Sequence, residues 1–243
     1  MVTYDTKGHC FMLEDGGEWD NKFLYNLAAK TRTVEAKIRP EETDTNPSSF
    51  WITNPTNHFI GNVAAGSQST GFWFELKLRA PSNALEINQG SNPKTNPLGA
   101  FDDNVAHSNN GRAGITTYET GYRAPPGTTW NNIRSYKNKN SGLFQHGTNN
   151  IYFKGGLLAD NGQAARNFHH EWAVYDDVEV IGRSQHAQSL MDEGRLNEGC
   201  GRAGGISIQP NEGMGVSLLN VLMLTLTPPV YSNLTSQCAS TYL

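Results

Sequence analysis

The stretch Phe50–Phe74, FWITNPTNHFIGNVAAGSQSTGFWF, holds one short word twice: SFWI at Ser49–Ile52 and GFWF at Gly71–Phe74, 22 residues apart. Between them stands a second word, Asn62-Val-Ala-Ala. A period of this length, with two strand-like words separated by small residues, predicts stacked β coils, because a single coil cannot bury its own apolar face and needs a neighbour.

Working outward, the first word aligns as Gly8-His-Cys-Phe, Ser49-Phe-Trp-Ile, Gly71-Phe-Trp-Phe, Gly114-Ile-Thr-Thr, Gly142-Leu-Phe-Gln and Gly205-Ile-Ser-Ile. The second aligns as Asn26-Leu-Ala-Ala, Asn62-Val-Ala-Ala, Asn104-Val-Ala-His, Ser135-Tyr-Lys-Asn and Leu157-Leu-Ala-Asp. A glycine or serine opening a word suits a tight corner against the next rung. Asn26, Asn62 and Asn104 fall in one column, where stacked side-chain amides pair from rung to rung. The expected fold is all-β: a single-stranded right-handed parallel β-helix with inserted loops, one domain over residues 1–243. Its register is legible to about residue 165 and faint after it.

Insertions fall between the words. Residues 77–98 and 118–129 both follow the first word on successive coils, so they are expected to lie side by side on one edge, where binding residues commonly sit. Residues 30–48 follow the second word and leave from another edge. The apolar run Val216–Leu226 is about half the length of a membrane-spanning helix and reads as one or two buried strands.

Composition agrees with this class. Only 17% of residues are charged, while Gly and Asn number 25 each, which argues for turns over helices. A net charge of -4 without a basic cluster excludes nucleic acid as the expected partner. Cys10, Cys200 and Cys238 are odd in number and widely spaced, so their pairing is open, and no CxxC zinc or redox motif occurs. No apolar leader opens the chain.

GHCFMLEDG at Gly8–Gly16, the Phe50–Phe74 stretch and AHSNNGRAG at Ala106–Gly114 resemble the parallel β-helix of the CEMIP and fibrocystin-L family of cell-surface and secreted proteins. The resemblance covers roughly residues 5–160. It implies an extracellular or surface location, an acidic polysaccharide as partner and, if the chain is an enzyme, a hyaluronidase-like glycosidase. It also implies flanking modules, a G8 domain among them, so that this chain reads as a fragment of a larger protein. The other reading is a non-catalytic structural or adhesion segment of a fibrocystin-L-like surface protein.

Candidate site residues follow. His107, Asn138 and Asp160 fall in one column under this register. Rungs are about 4.8 Å apart, which places His107 and Asp160 about 10 Å from each other, across a groove. Glu14 and Asp15 are paired carboxylates, the residue type that glycoside hydrolysis requires, although neighbours on a strand diverge unless the Asp15-Gly-Gly turn brings them round. Arg79, Arg112 and Arg123 can grip carboxylates bidentately, and Tyr118 or Tyr122 can stack on sugar rings. Trp51 and Trp73 recur at the repeat spacing and read as scaffold. His169-His170-Glu171 lacks a third ligand position, so no metal or other cofactor is expected; calcium near Asp102-Asp103 or Asp176-Asp177 has no defined loop behind it. Those two pairs read as coil starts.

Overall fold

The computed structural model describes residues 1–36, 43–77, 92–184 and 205–225. The described residues are all-β, with eighteen strands and one 3-10 turn at Pro93–Thr95. Every pairing between strands is parallel.

The strands form three ladders, visited in turn by each coil. The first takes the second sequence word: β1 (Val2–Tyr4), β4 (Leu27–Ala29), β7 (Val63–Ala65) and β10 (Val105–His107). The next takes the first word: β2 (Phe11–Met12), β5 (Ser48–Ile52), β8 (Thr70–Phe74), β11 (Ala113–Thr116) and β13 (Ser141–His146). The third is built from β3 (Lys22–Leu24), β6 (His58–Ile60) and β9 (Ala100–Asp102). Beyond these, β12 (Arg123–Tyr136), β14 (Asn149–Ala159), β15 (Gln163–Asp176) and β17 (Ile206–Leu219) each bend through a corner and serve two ladders. The first ladder ends in β16 (Glu179–Arg183) and β18 (Leu222–Thr225).

Alternation along the second ladder sends Phe50, Phe72, Ile115, Leu143 and Ala165 inward, all fully buried. One apolar cluster joins them to Phe59, Phe101, Trp130 and Phe153 of the third ladder. Phe50 and Phe72 stack with centroids 4.5 Å apart, and Phe72 meets Phe101 edge-on at 5.3 Å. Phe72→Leu is therefore expected to cost about 1.5 kcal/mol, from lost ring contacts and a small void; chemical unfolding followed by tryptophan fluorescence measures it, and an unchanged midpoint would contradict the packing described.

The corners explain the polar residues. Asp5, Lys30, Ser108, Lys137 and Asp160, each just after a first-ladder strand, have φ between 50° and 60°. Asp103 and Asp177 are equivalent at the corner entering that ladder, with φ of 55° and 56°, as expected of coil starts. The glycines opening second-ladder words serve close approach: a Cβ on Gly71 would lie 2.4 Å from the Gly114 carbonyl oxygen, and one on Gly114 would lie 2.3 Å from Ser135 Oγ. Asparagines pair along the stack, the half-buried Asn26 to the buried Asn62 and Asn62 to the buried Asn104, with Nδ2–Oδ1 distances of 2.9 and 3.1 Å.

Several register assignments are corrected. Phe11 pairs with Phe50, so the Gly8 word is displaced by two residues from its predicted alignment. Val105 pairs with Arg134, and Arg134 with Leu157, which shifts the Ser135 word by two and the Leu157 word by one. One 22-residue step carries past residue 165, Ile151 pairing with Ala173 and Leu157 with Glu179, and the next coil returns only after 41 to 43 residues, Ala165 pairing with Ile206 and Glu179 with Leu222. Part of the 118–129 insertion is strand, since β12 begins at Arg123. The apolar run does form strands, but Leu219, Leu222 and Met223 are about half exposed.

Candidate functional site

His107, Asn138 and Asp160 do not share a column. His107 aligns with Tyr136 and Ala159, because a two-residue slip separates the predicted and observed registers. Its ring stacks on Tyr136 at 4.9 Å, and burial, with Lys137 beside it, holds its pKa below the usual imidazole value. Asn138 belongs to a second buried asparagine column, Asn109–Asn138–Asn161, with Nδ2–Oδ1 distances of 2.8 and 2.9 Å. Asp160 is buried and accepts from the Ser184 amide and hydroxyl, both at 2.7 Å. Glu14 is exposed and Asp15 accepts from the Gly17 amide at 2.9 Å, closing its own turn. Tyr122, offered as a stacking face, is fully buried and donates to the Asn96 carbonyl at 2.9 Å. Arg79, Cys200 and Cys238 lie outside the described residues; Cys10 is a free thiol.

What the fold does gather is on the outer side of the second ladder. Trp51, Trp73, Thr116, Phe144 and Arg166 occupy successive rungs at one outward position. Two positions further along, His146 and Phe168 are paired. Arg112, in the turn before β11, lays its guanidinium over the Tyr118 ring at 3.6 Å and near Trp73 at 5.6 Å. Tyr118 stacks on Phe144 at 5.5 Å, and Arg166 lies 4.9 Å from Phe144 and 5.5 Å from Phe168. His146 completes the patch against Tyr118 at 5.0 Å and Phe168 at 5.2 Å. Cations and rings thus interleave across three coils, the arginine contacts being of the cation–π type and the others ring on ring.

The neighbourhood sets the charges. Burial weighs against the Arg112 cation, while Tyr118, Glu119 and Glu75 favour it. Burial raises the pKa of Glu75, and the charge of Glu119 adds to that, against a hydrogen bond from the Glu119 amide. Burial also lowers His146, with His169, Lys94 and Arg112 contributing. Lys94 is lowered by burial and by Arg123 beside it. Arg123 itself is exposed, at the edge of this cationic region. Among the described residues no carboxylate ion-pairs with Arg112 or Arg166 within 4 Å, whereas Arg32 meets Asp5 at 2.7 Å.

The described parts of the two insertions do lie together. Tyr122 Oη donates to the Asn96 carbonyl at 2.9 Å, and Leu76, just before the first insertion, donates through its N–H to Thr120 Oγ1 at 2.7 Å. Arg112 and Tyr118 were legible in the sequence; Phe144, His146, Arg166 and Phe168 were not singled out. The signal for them was the 22-residue step from Phe144 to Arg166 and from His146 to Phe168, obscured where Ala164-Ala165 replaces the Gly-plus-large-apolar opening of the word. Among the described residues there is no group of three potential metal ligands, and no helix long and apolar enough to cross a membrane.

Residues 1–115 match the family model for the CEMIP beta-helix. A cell surface hyaluronidase of Danio rerio is 36% identical over 129 residues, covering 44% of this chain and 9% of that protein. The cell migration-inducing and hyaluronan-binding protein of Homo sapiens is 33% identical over 136 residues, covering 47% of this chain and 10% of its own length. Human fibrocystin-L is 37% identical over 109 residues, covering 44% of this chain and 2% of its own length. The chain thus spans a small part of each relative. Its first 115 residues are similar to the CEMIP beta-helix, and Tyr118, Phe144 and Arg166 lie beyond the stretch that this model matches.

Proposed function

We propose that this chain is a right-handed, single-stranded β-helical segment of an extracellular or cell-surface protein, and that it binds an acidic polysaccharide on the outer face of its second ladder. The observation that carries the reading is the row Trp73, Arg112, Tyr118, Phe144, Arg166, Phe168, with two guanidiniums held by ring faces and no carboxylate ion-paired to either within 4 Å among the described residues. Guanidinium stacked on a ring still offers its in-plane N–H fork, which matches a carboxylate. The names of the relatives, a hyaluronidase and a hyaluronan-binding protein, support hyaluronan as the first ligand to try. Their greater length supports flanking domains in the parent protein.

Binding without cleavage is the form of the proposal. Glu14, Asp15 and Asp160 are occupied in turns or do not converge, which favours an adhesion segment over a glycosidase. The test is retention of the folded chain on immobilised hyaluronan and related glycosaminoglycans, with polymer size followed in parallel. Arg112→Gln is expected to weaken binding about tenfold, the effect of one lost charge-assisted pair. Absence of retention by a folded sample removes the proposal, and a fall in polymer size replaces its non-catalytic part.

A further inference from the structure

Arg112 and Arg166 sit at the two ends of a short path of rings. Arg112 precedes β11, whose Ala113 pairs with Ser141 of β13, and Ser141 pairs with Gln163 of β15, the strand that carries Arg166. Two rungs therefore separate their coils, about 10 Å along the stacking axis. That step is comparable with one disaccharide of an extended glycan. Tyr118 and His146, both partly exposed, lie between them.

Resting on the polysaccharide reading above, we infer that the row reads carboxylate spacing: a linear acidic glycan lies along the stacking axis, across the strands, and Arg112 and Arg166 engage successive carboxylates of one chain. Parallel stacking fixes the rise between the two coils; Thr116 holds the Arg166 position on the Arg112 coil, and the two guanidiniums are brought towards each other across the strand by Tyr118 and Phe144. The stacked rings hold both guanidiniums by their faces, so the cost of ordering a long side chain on binding is already met in the free protein. The carboxyls whose charges reach Arg112 are Glu119 and Glu75, and burial raises the pKa of Glu75. The second arginine adds affinity as an intramolecular event once the first carboxylate is held.

The experiment is a length series on the full chain, using hyaluronan disaccharide, tetrasaccharide and hexasaccharide, with affinity measured calorimetrically. The tetrasaccharide, with two carboxylates, is expected to bind at least about tenfold more tightly than the disaccharide, with a smaller gain to the hexasaccharide. Arg166→Gln should remove that gain, so that tetrasaccharide and disaccharide bind this variant about equally, and Arg166→Lys should restore part of it. Arg166 is exposed, so these variants are expected to fold, which circular dichroism checks. A gain that survives in Arg166→Gln, or no gain in the native chain while long polymer still binds, overturns the spacing inference and leaves the polysaccharide reading standing. No binding at any length overturns both.

Discussion

Replacing Asn138 by alanine is expected to lower the unfolding free energy by about 4 kcal/mol, the largest single effect anticipated for this chain. The residue is fully buried and joins three coils. Its Oδ1 accepts from the Asn109 side chain at 2.8 Å and from the Asn109 amide at 3.2 Å. Its Nδ2 donates towards Asn161 Oδ1 at 2.9 Å, Ser135 Oγ at 3.0 Å and the Ala106 carbonyl at 3.2 Å. Alanine removes all of these at once and strands several buried polar groups, each costing roughly 1–3 kcal/mol. Asn110→Ala, beside the column partner Asn109 on the preceding coil but exposed, should stay within about 0.5 kcal/mol. Urea unfolding of the pair measures the difference. A loss below 1 kcal/mol at Asn138 would show that the column is not a stabilising element. The same experiment separates scaffold from ligand contact: a substrate-binding asparagine would change affinity with little change in stability.

That contrast shows where the sequence was readable. The strand words at Phe50–Phe74 revealed parallel stacking because inward aromatic residues repeat at the rung spacing, and Phe50–Phe72 and Trp51–Trp73 do pair. Asn26, Asn62 and Asn104 were legible as a column because each opens an otherwise apolar word. The second column was missed at Asn138 because β12 runs unbroken through its corner from Arg123 to Tyr136. Without a turn residue to mark where one ladder ends, the word could be placed two residues out, which moved Asn138 beside His107. A slip in register reassigns every column that depends on it.

The site was less legible than the fold for a related reason. Arg112 and Tyr118 are six positions apart in sequence but touch because one precedes β11 and the other follows it. Arg166 joins them through two rungs of pairing, a relation that depends on knowing the register. Single residues of suitable chemistry can be picked out of a sequence; their convergence is a property of the stack.

Acid is expected to destabilise the chain through His9, by on the order of 3 kcal/mol between pH 6.5 and pH 4. The His9 side chain is 4% exposed and packs against Trp51 at 4.3 Å. Its Nδ1 accepts from the Ser48 amide at 3.0 Å, which requires that nitrogen to be unprotonated, while Nε2 meets Thr43 Oγ1 at 2.8 Å. Burial lowers its pKa to about 4, and Asp44, 3.7 Å from Nε2, opposes that shift. Because the folded value lies below the unfolded one, the unfolded chain binds the extra proton first as pH falls. The contribution is therefore full above about pH 6.5 and is lost progressively down to about pH 4. His9→Gln keeps an acceptor for the Ser48 amide but cannot titrate, so its stability should fall less steeply across this window. Unfolding curves at pH 7, 5.5 and 4.5 for both proteins give the slopes. Parallel slopes would mean that other groups carry the acid sensitivity and that His9 is not held neutral by its burial.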